Sequence, residues 1–158
     1  MPGTELTSLN HHYDDLEVGD TFSTQGRTVT EADLVAFSGL SGDYSLVHTN
    51  EEYAASTPFG ARIAHGTLTL AIASGLDYRL QGTGESKVLA FYGFDRVRFI
   101  KPVLMGDTIH LDGEVAEITP REDGMGVVMF QVTIANQRDE TVAVYSKRTL
   151  HSARPPQD

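Results

Sequence analysis

The stretch Gly66-Thr67-Leu68-Thr69-Leu70-Ala71-Ile72-Ala73-Ser74-Gly75-Leu76-Asp77-Tyr78-Arg79-Leu80 decides the fold. Its apolar residues cover most of a helical circumference, and no ionisable side chain appears before Asp77. A helix of that kind has to be buried or wrapped by another element. The loop Gln81-Gly82-Thr83-Gly84 ends it, and the chain then changes character. Residues 88–100 are rich in β-formers, and Thr108 to Val115 alternates, with Ile109, Leu111 and Val115 opposite His110, Asp112 and Glu114. Val128, Phe130, Val132 and Ile134 share the face of a third strand, and a tight connection at Gln137 to Glu140 leads to a fourth, Thr141 to Leu150. Four long strands in a meander, with no alternation of strand and helix, predict an α+β protein with an antiparallel sheet. The Gly66 helix is the cover available for its apolar face, so a sheet wrapped around one helix is expected.

Upstream, residues 1–19 read as a polar arm, and Thr21 to Val29 as a modest strand. Thr30-Glu31-Ala32-Asp33 resembles a capping box opening a short helix that Gly39 and Gly42 end. Thr49-Asn50-Glu51-Glu52 reads as a second box, starting a helix through Ala55 that Pro58 and Gly60 break. The tail from His151 contains two prolines and is expected to fray. The chain is thus one domain, residues 1–158, with its core at about 16–150.

A length of 158 residues is ample for a core, and 40% hydrophobic with 22% charged residues is ordinary for a globular protein. Twelve basic groups against 22 acidic ones, with no Lys/Arg cluster, argue against nucleic acid and anionic membrane surfaces as partners. No run is long and apolar enough for a membrane span. The absence of cysteine removes disulfides, thiolate nucleophiles and cysteine-ligated metal sites. With no basic-then-apolar start in Met1 to Asp20, a cytoplasmic location is the expectation.

Chemistry concentrates in Ser41-Gly42-Asp43-Tyr44-Ser45-Leu46-Val47-His48. A carboxylate and an imidazole on one short turn can both reach a single water, although each alone also reads as an ordinary turn or helix-opening residue. In Ala64-His65-Gly66, the free N–H groups of a helix start, with glycine allowing close approach, can receive an oxyanion. His65 itself reads equally as a residue that merely opens the helix, and Ser74 as a small packing residue. His48 and His65 lack a third ligand at recognisable spacing, so no metal is expected. Nucleophile elbow, phosphate loop and dinucleotide fingerprint are all missing.

Ser41-Gly42-Asp43 through His48, followed by Ala54, Phe59-Gly60 and Ile63-Ala64-His65-Gly66, resembles the hydratase motif of the MaoC-like (R)-specific enoyl-CoA hydratases. The resemblance extends through Val97-Arg98-Phe99-Ile100-Lys101-Pro102-Val103 and Gly106-Asp107-Thr108, covering roughly Leu16 to Leu150. It implies a hot-dog fold, a homodimer or dimer of dimers, and an acyl-CoA thioester as substrate with no separate cofactor, in fatty acid metabolism. By motif position it implies that Asp43 and His48 form the catalytic dyad, with Asp43 the main base and His48 orienting the water. It further implies that the Gly66 N–H binds the thioester oxygen and that Ser74 supports the dyad. The CoA phosphates call for cations, for which Arg62 and Lys101, with Arg96 and Arg98, are candidates by position.

One departure stands out. The family commonly has Asn-Pro where this chain has Ser45-Leu46. Serine can keep one local hydrogen bond, whereas leucine supplies none of proline's rigidity. Two alternatives to the hydratase therefore stay open: a hot-dog acyl-CoA thioesterase, for which Asp77 is the one acid on the long helix, and an acyl-CoA binder without turnover.

Overall fold

The computed structural model describes residues 3–156. A sheet of six strands carries the fold: β1 (Thr21–Ser23), β2 (Arg27–Thr28), β3 (Val88–Phe99), β4 (Thr108–Pro120), β5 (Met125–Ala135) and β6 (Thr141–Ser152). Four α-helices, α1 (Glu31–Ser41), α2 (Leu46–Thr49), α3 (Glu51–Ala55) and the long α4 (Gly66–Gln81), and one turn of 3-10 helix at Tyr13–Asp15 accompany it among the described residues. The strand order is β1-β4-β5-β6-β3, with β2 also on β4, and every pairing is antiparallel.

The expected meander needs one correction. β4, β5 and β6 follow one another, but β3 pairs with β6 and lies at the opposite edge from β1. The segment between β3 and β4 therefore crosses the end of the sheet. It is pinned there by the Ile63–Leu104 bridge and by the Ala64 N–H donating to the Val103 carbonyl at 2.8 Å. This crossing brings Pro102 and Val103 beside the start of α4. Alternation alone marks strands and says nothing about which neighbour each will choose.

The residues facing inward are those that the alternation selects. Ile109, Leu111 and Val115 on β4 and Val128, Phe130, Val132 and Ile134 on β5 are buried, and Leu68, Ile72, Ala73 and Leu76 of α4 pack into the same core. The helix is covered on that face alone. Ser74, Gly75 and Tyr78 on its other side are exposed.

Both ends of the chain are better anchored than their composition suggests. Leu6, Leu9 and Leu16 of the polar arm are buried, because apolar residues spaced along an otherwise hydrophilic segment dock singly rather than as a face. His151, expected to fray, pairs with Gly126 inside the sheet, is 1% exposed, and has its Nδ1 2.9 Å from the His11 carbonyl. Residues 157 and 158, the last of the expected tail, lie outside the described residues.

The helix starts are legible down to the cap. The Asp33 carboxylate accepts from both the backbone N–H and the hydroxyl of Thr30, at 2.8 and 2.9 Å, and Gly42 ends α1 at φ 75°. The second cap is shifted by one residue. Asn50, not Thr49, caps α3, accepting from the Tyr53 N–H at 2.9 Å. Thr49 instead closes the one-turn helix α2, its hydroxyl donating back to the carbonyls of Tyr44 and Ser45. His48 thus sits within α2 rather than ahead of a helix.

Ile109 is completely buried between the sheet and its covering elements, and truncation there leaves a cavity that the surrounding strands cannot close. Ile109→Ala is expected to cost about 2–5 kcal/mol, read as a lower urea midpoint at unchanged m-value.

Candidate active site

The loop after α1 is held by a relay of short-range bonds. The Ser41 hydroxyl donates to the Phe37 carbonyl at 2.7 Å and accepts from the Asp43 N–H at 3.1 Å. Asp43 Oδ1 in turn accepts from the Ser45 N–H at 3.0 Å and the Ser45 hydroxyl at 2.6 Å. This is a side-chain turn in which the serine supplies the local bond expected of a turn residue. Leu46, at the other departed position, simply begins α2, so the backbone before His48 is set by helix formation. The Asp43 carboxyl is exposed and lies below the usual carboxylate range. The Ser45 hydroxyl is the main cause, followed by the Ser45 N–H, with the nearby imidazoles of His48 and His65 adding to it.

His48 Nδ1 lies 2.7 Å from the Ile63 carbonyl. A carbonyl only accepts, so Nδ1 carries the proton in the neutral ring and Nε2 keeps its lone pair. The Ile63 N–H donates to the Val47 carbonyl at 3.2 Å, so the segment before α4 is tied to α2 by backbone as well as by side chain.

His65 turns out to be more than a residue that opens a helix. It is 1% exposed and stacks on His48, with ring centroids 3.8 Å apart and planes 29° from parallel. Its Nε2 lies 3.1 Å from the Asp43 carbonyl, to which it donates, and 3.3 Å from the Ser38 hydroxyl. One buried ring therefore touches both members of the expected pair. The sequence signal was its place directly before Gly66, which alone does not distinguish a structural from a functional histidine.

Asp43, His48 and His65 bring ligand-type atoms within 4.8 Å of one another, the third partner that spacing alone does not reveal. Their donor chemistry does not fit a metal centre. His65 Nε2 is committed as a donor, and its Nδ1 is enclosed without a partner among the described residues.

Gly66 is the first residue of α4, and its N–H has no intrahelical acceptor. It lines a cavity of about 340 Å³ together with His48, Thr69, Phe99, Pro102 and Val103. A Cβ on residue 66 would stand 2.7 Å from the Phe99 ring, so glycine is what lets that ring close the cavity wall. A larger concavity of about 530 Å³, on the β1–β4–β5 part of the sheet, is lined by Glu5, Asp112, Glu114 and Gln131 among others and lies away from these groups.

The remaining expected residues do not all converge. Ser74 lies two turns into α4, where it lines a separate cavity with Asp77, Tyr78 and Phe91, not the one that holds His48 and Gly66. Arg62, a candidate for CoA phosphate, is committed elsewhere. It forms a two-pronged pair with Glu31 at 2.9 and 2.6 Å and a third bond to Glu51 at 2.7 Å, tying α1 to α3. Two carboxylates around one guanidinium leave a net negative cluster, which corrects its assignment as an anion site. Lys101 does line the cavity mouth, half exposed and paired with Glu140 at 2.7 Å. Arg96 and Arg98 make no salt bridge among the described residues.

If the Ser45 hydroxyl holds Asp43 ionised, its removal lets the carboxyl titrate nearer the ordinary range. Ser45→Ala is expected to raise the Asp43 midpoint, measured by carbon NMR titration of the side-chain carboxyl.

Residues 15–137 match the MaoC like domain. The chain is 40% identical over 100 residues to Protein MaoC of Klebsiella aerogenes, a match covering 63% of this chain and 29% of that longer protein. It is 39% identical over 110 residues to 3-hydroxybutyryl-CoA dehydratase of Methylorubrum extorquens, covering 69% of this chain and 66% of that protein. It is 36% identical over 113 residues to the (R)-specific enoyl-CoA hydratase of Rhodospirillum rubrum, covering 71% and 74%. Among solved structures, a monoamine oxidase regulatory protein from Archaeoglobus fulgius superposes with a TM-score of 0.86 at 33% identity, covering 98% of this chain and 100% of that one. A Mycobacterium tuberculosis protein with a double hotdog fold superposes with a TM-score of 0.79 at 21% identity, over 94% of this chain and 46% of its own. No helix among the described residues is long and apolar enough to cross a membrane. With its hot-dog fold and with the motif, cap and cavity in these positions, the chain belongs to the MaoC-like dehydratase family.

Proposed function

We propose that this protein is an (R)-specific enoyl-CoA hydratase, or in reverse a 3-hydroxyacyl-CoA dehydratase, working by syn addition of water. The observation that carries the reading is the placement of His48 and Gly66 on one largely apolar cavity, with an Asp43 carboxylate oxygen within 4.8 Å of a His48 ring nitrogen. The similarity to a 3-hydroxybutyryl-CoA dehydratase and to an (R)-specific enoyl-CoA hydratase supports the same reaction class.

The steps follow from the hydrogen bonds. The ionised Asp43 orients a water, whose oxygen bonds to the β-carbon of the trans-2-enoyl thioester. Its proton passes to His48 Nε2, the nitrogen whose lone pair the Ile63 bond leaves free. The α,β π-electrons shift to the thioester oxygen, where the Gly66 N–H stabilises the enolate. As the enolate collapses, His48 returns the proton to the α-carbon on the same face. This assigns the first proton acceptor to His48 rather than Asp43, because two bonds from Ser45 make the carboxylate a weaker base.

A homodimer completes the site in this reading. β3 is an edge strand with one side unpaired, and Leu89, Phe91, Tyr92, Phe99 and Ile100 on or beside it are exposed. Tyr44, Leu46 and Phe59 around the dyad are exposed as well. A second copy laid along this edge would bury both groups and exclude water from the reaction. The thioesterase alternative is disfavoured because Asp77, the acid on the long helix, is buried and held by Lys147.

Crotonyl-CoA incubated with the purified protein is expected to lose its enoyl-thioester absorbance without releasing free thiol. Thiol release would support the thioesterase, and no change in either signal, with 3-hydroxyacyl-CoA also inert, would favour the binder. Asp43→Asn and His48→Ala should each lower kcat by roughly 10²–10⁴-fold in a folded protein. Gly66→Ala should push the Phe99 ring into the cavity and raise KM, and a second change, Phe99→Ala, should restore it in steady-state assays.

A further inference from the structure

The cavity lined by Ser74 has no part in that chemistry. It encloses about 200 Å³ between the C-terminal half of α4 and the first half of β3. Gly66 and Thr69, which line the first cavity, share a helix face with Asp77, which lines the second, the steps running 66, 69, 73 and 77. Both cavities border β3 as well, the first at Phe99 and the second from Val88 to Phe94. Both thus lie between α4 and β3, and the eight steps from Gly66 to Ser74 span ~12 Å of helix rise.

Its walls are aromatic, from Phe91, Phe94 and Tyr145, but its floor is not. Lys147 of β6 places Nζ 2.6 Å from each carboxylate oxygen of Asp77, with the two residues 5% and 7% exposed. Folding stability does not account for such a pair, since apolar residues of similar volume often serve as well or better. Two of the three ammonium N–H groups are directed at Asp77, and the Phe130 ring lies 4.7 Å from Nζ. Each Asp77 oxygen keeps a further lone pair, and the Tyr145 and Ser74 hydroxyls make no hydrogen bond among the described residues. Burial, with the Asp77 charge nearby, pushes the Tyr145 phenol pKa up, so it stays a donor.

We infer that this cavity receives the far end of a medium-length acyl chain bearing a hydroxyl, which donates to Asp77 and accepts from Tyr145. A methyl end would leave both groups facing hydrocarbon without partners. A carboxylate end would bring a second anion against Asp77, with the single cation Lys147 already neutralised by the first.

The inference rests on the hydratase reading, and one set of assays separates the two. The purified protein is supplied with a medium-chain trans-2-enoyl-CoA, its ω-hydroxy analogue and its ω-carboxy analogue. The ω-hydroxy compound is expected to have kcat/KM at least about tenfold above both others. Tyr145→Phe, which removes only the hydroxyl, should bring that ratio close to one, as should the double variant Asp77→Leu/Lys147→Met. Preference for the plain or the ω-carboxy chain, or a ratio unchanged in Tyr145→Phe, overturns the tail site. No turnover of any thioester, crotonyl-CoA included, overturns the hydratase reading instead. Calorimetric binding of saturated ω-hydroxyacyl-CoA and plain acyl-CoA then reads the tail preference directly, equal affinities overturning it.

Discussion

Burial of one face of α4 against the β4–β5–β6 sheet is the constraint from which the rest follows. Leu68, Ile72, Ala73 and Leu76 lie in the same core as the inner residues of β4 and β5, so the helix cannot rotate or slide without exposing apolar surface. That fixes where its first N–H groups point. The segment just before it is pinned twice, to the β3–β4 crossing through Ala64 and Val103 and to α2 through Ile63. The dyad loop is positioned by the same helix, because His65 at its N-cap holds the Asp43 carbonyl. A hydrophobic contact of no chemical specificity thus sets the geometry of the candidate site groups.

Electrostatics in the site are local rather than global. A formal charge of −10 says little about Asp43, whose carboxyl is governed by one serine and two imidazoles. Arg62 illustrates the same separation. Its sequence position beside the motif suggested anion binding, yet its guanidinium is held by Glu31 and Glu51 and joins two helices. Cations near a motif have to be read together with the acids that the fold brings to them, and those acids are 31 and 11 residues away.

Much of the architecture could be read from residue pattern: the apolar run of α4, the alternation of β4, and the capping pair of Thr30 and Asp33. What pattern could not supply was pairing over distance. The placement of β3 next to β6 depends on a crossing whose anchors, Ile63 and Leu104, carry no periodic signal. In the site, the residue types at 43, 48 and 66 were legible from the motif. The substituted turn was not, because whether Ser45 compensates for asparagine depends on a rotamer, as does the commitment of Nδ1 and Nε2 in His48. His65 escaped for a related reason: stacking is a tertiary event, and its neighbours in sequence are small.

The Gly66–Phe99 contact makes the cavity's width a property of the sheet. Phe99 stands just after an irregularity in the β3–β6 register between Asp95 and Arg98, where Arg96 adopts φ 53°. The one extra residue in that bulge determines which side chain arrives over residue 66. An insertion or deletion there would reshape the cavity while leaving Asp43, His48 and the Gly66 N–H untouched. The width of the cavity can therefore drift through an edge strand, independently of the loop and helix start that hold Asp43, His48 and Gly66.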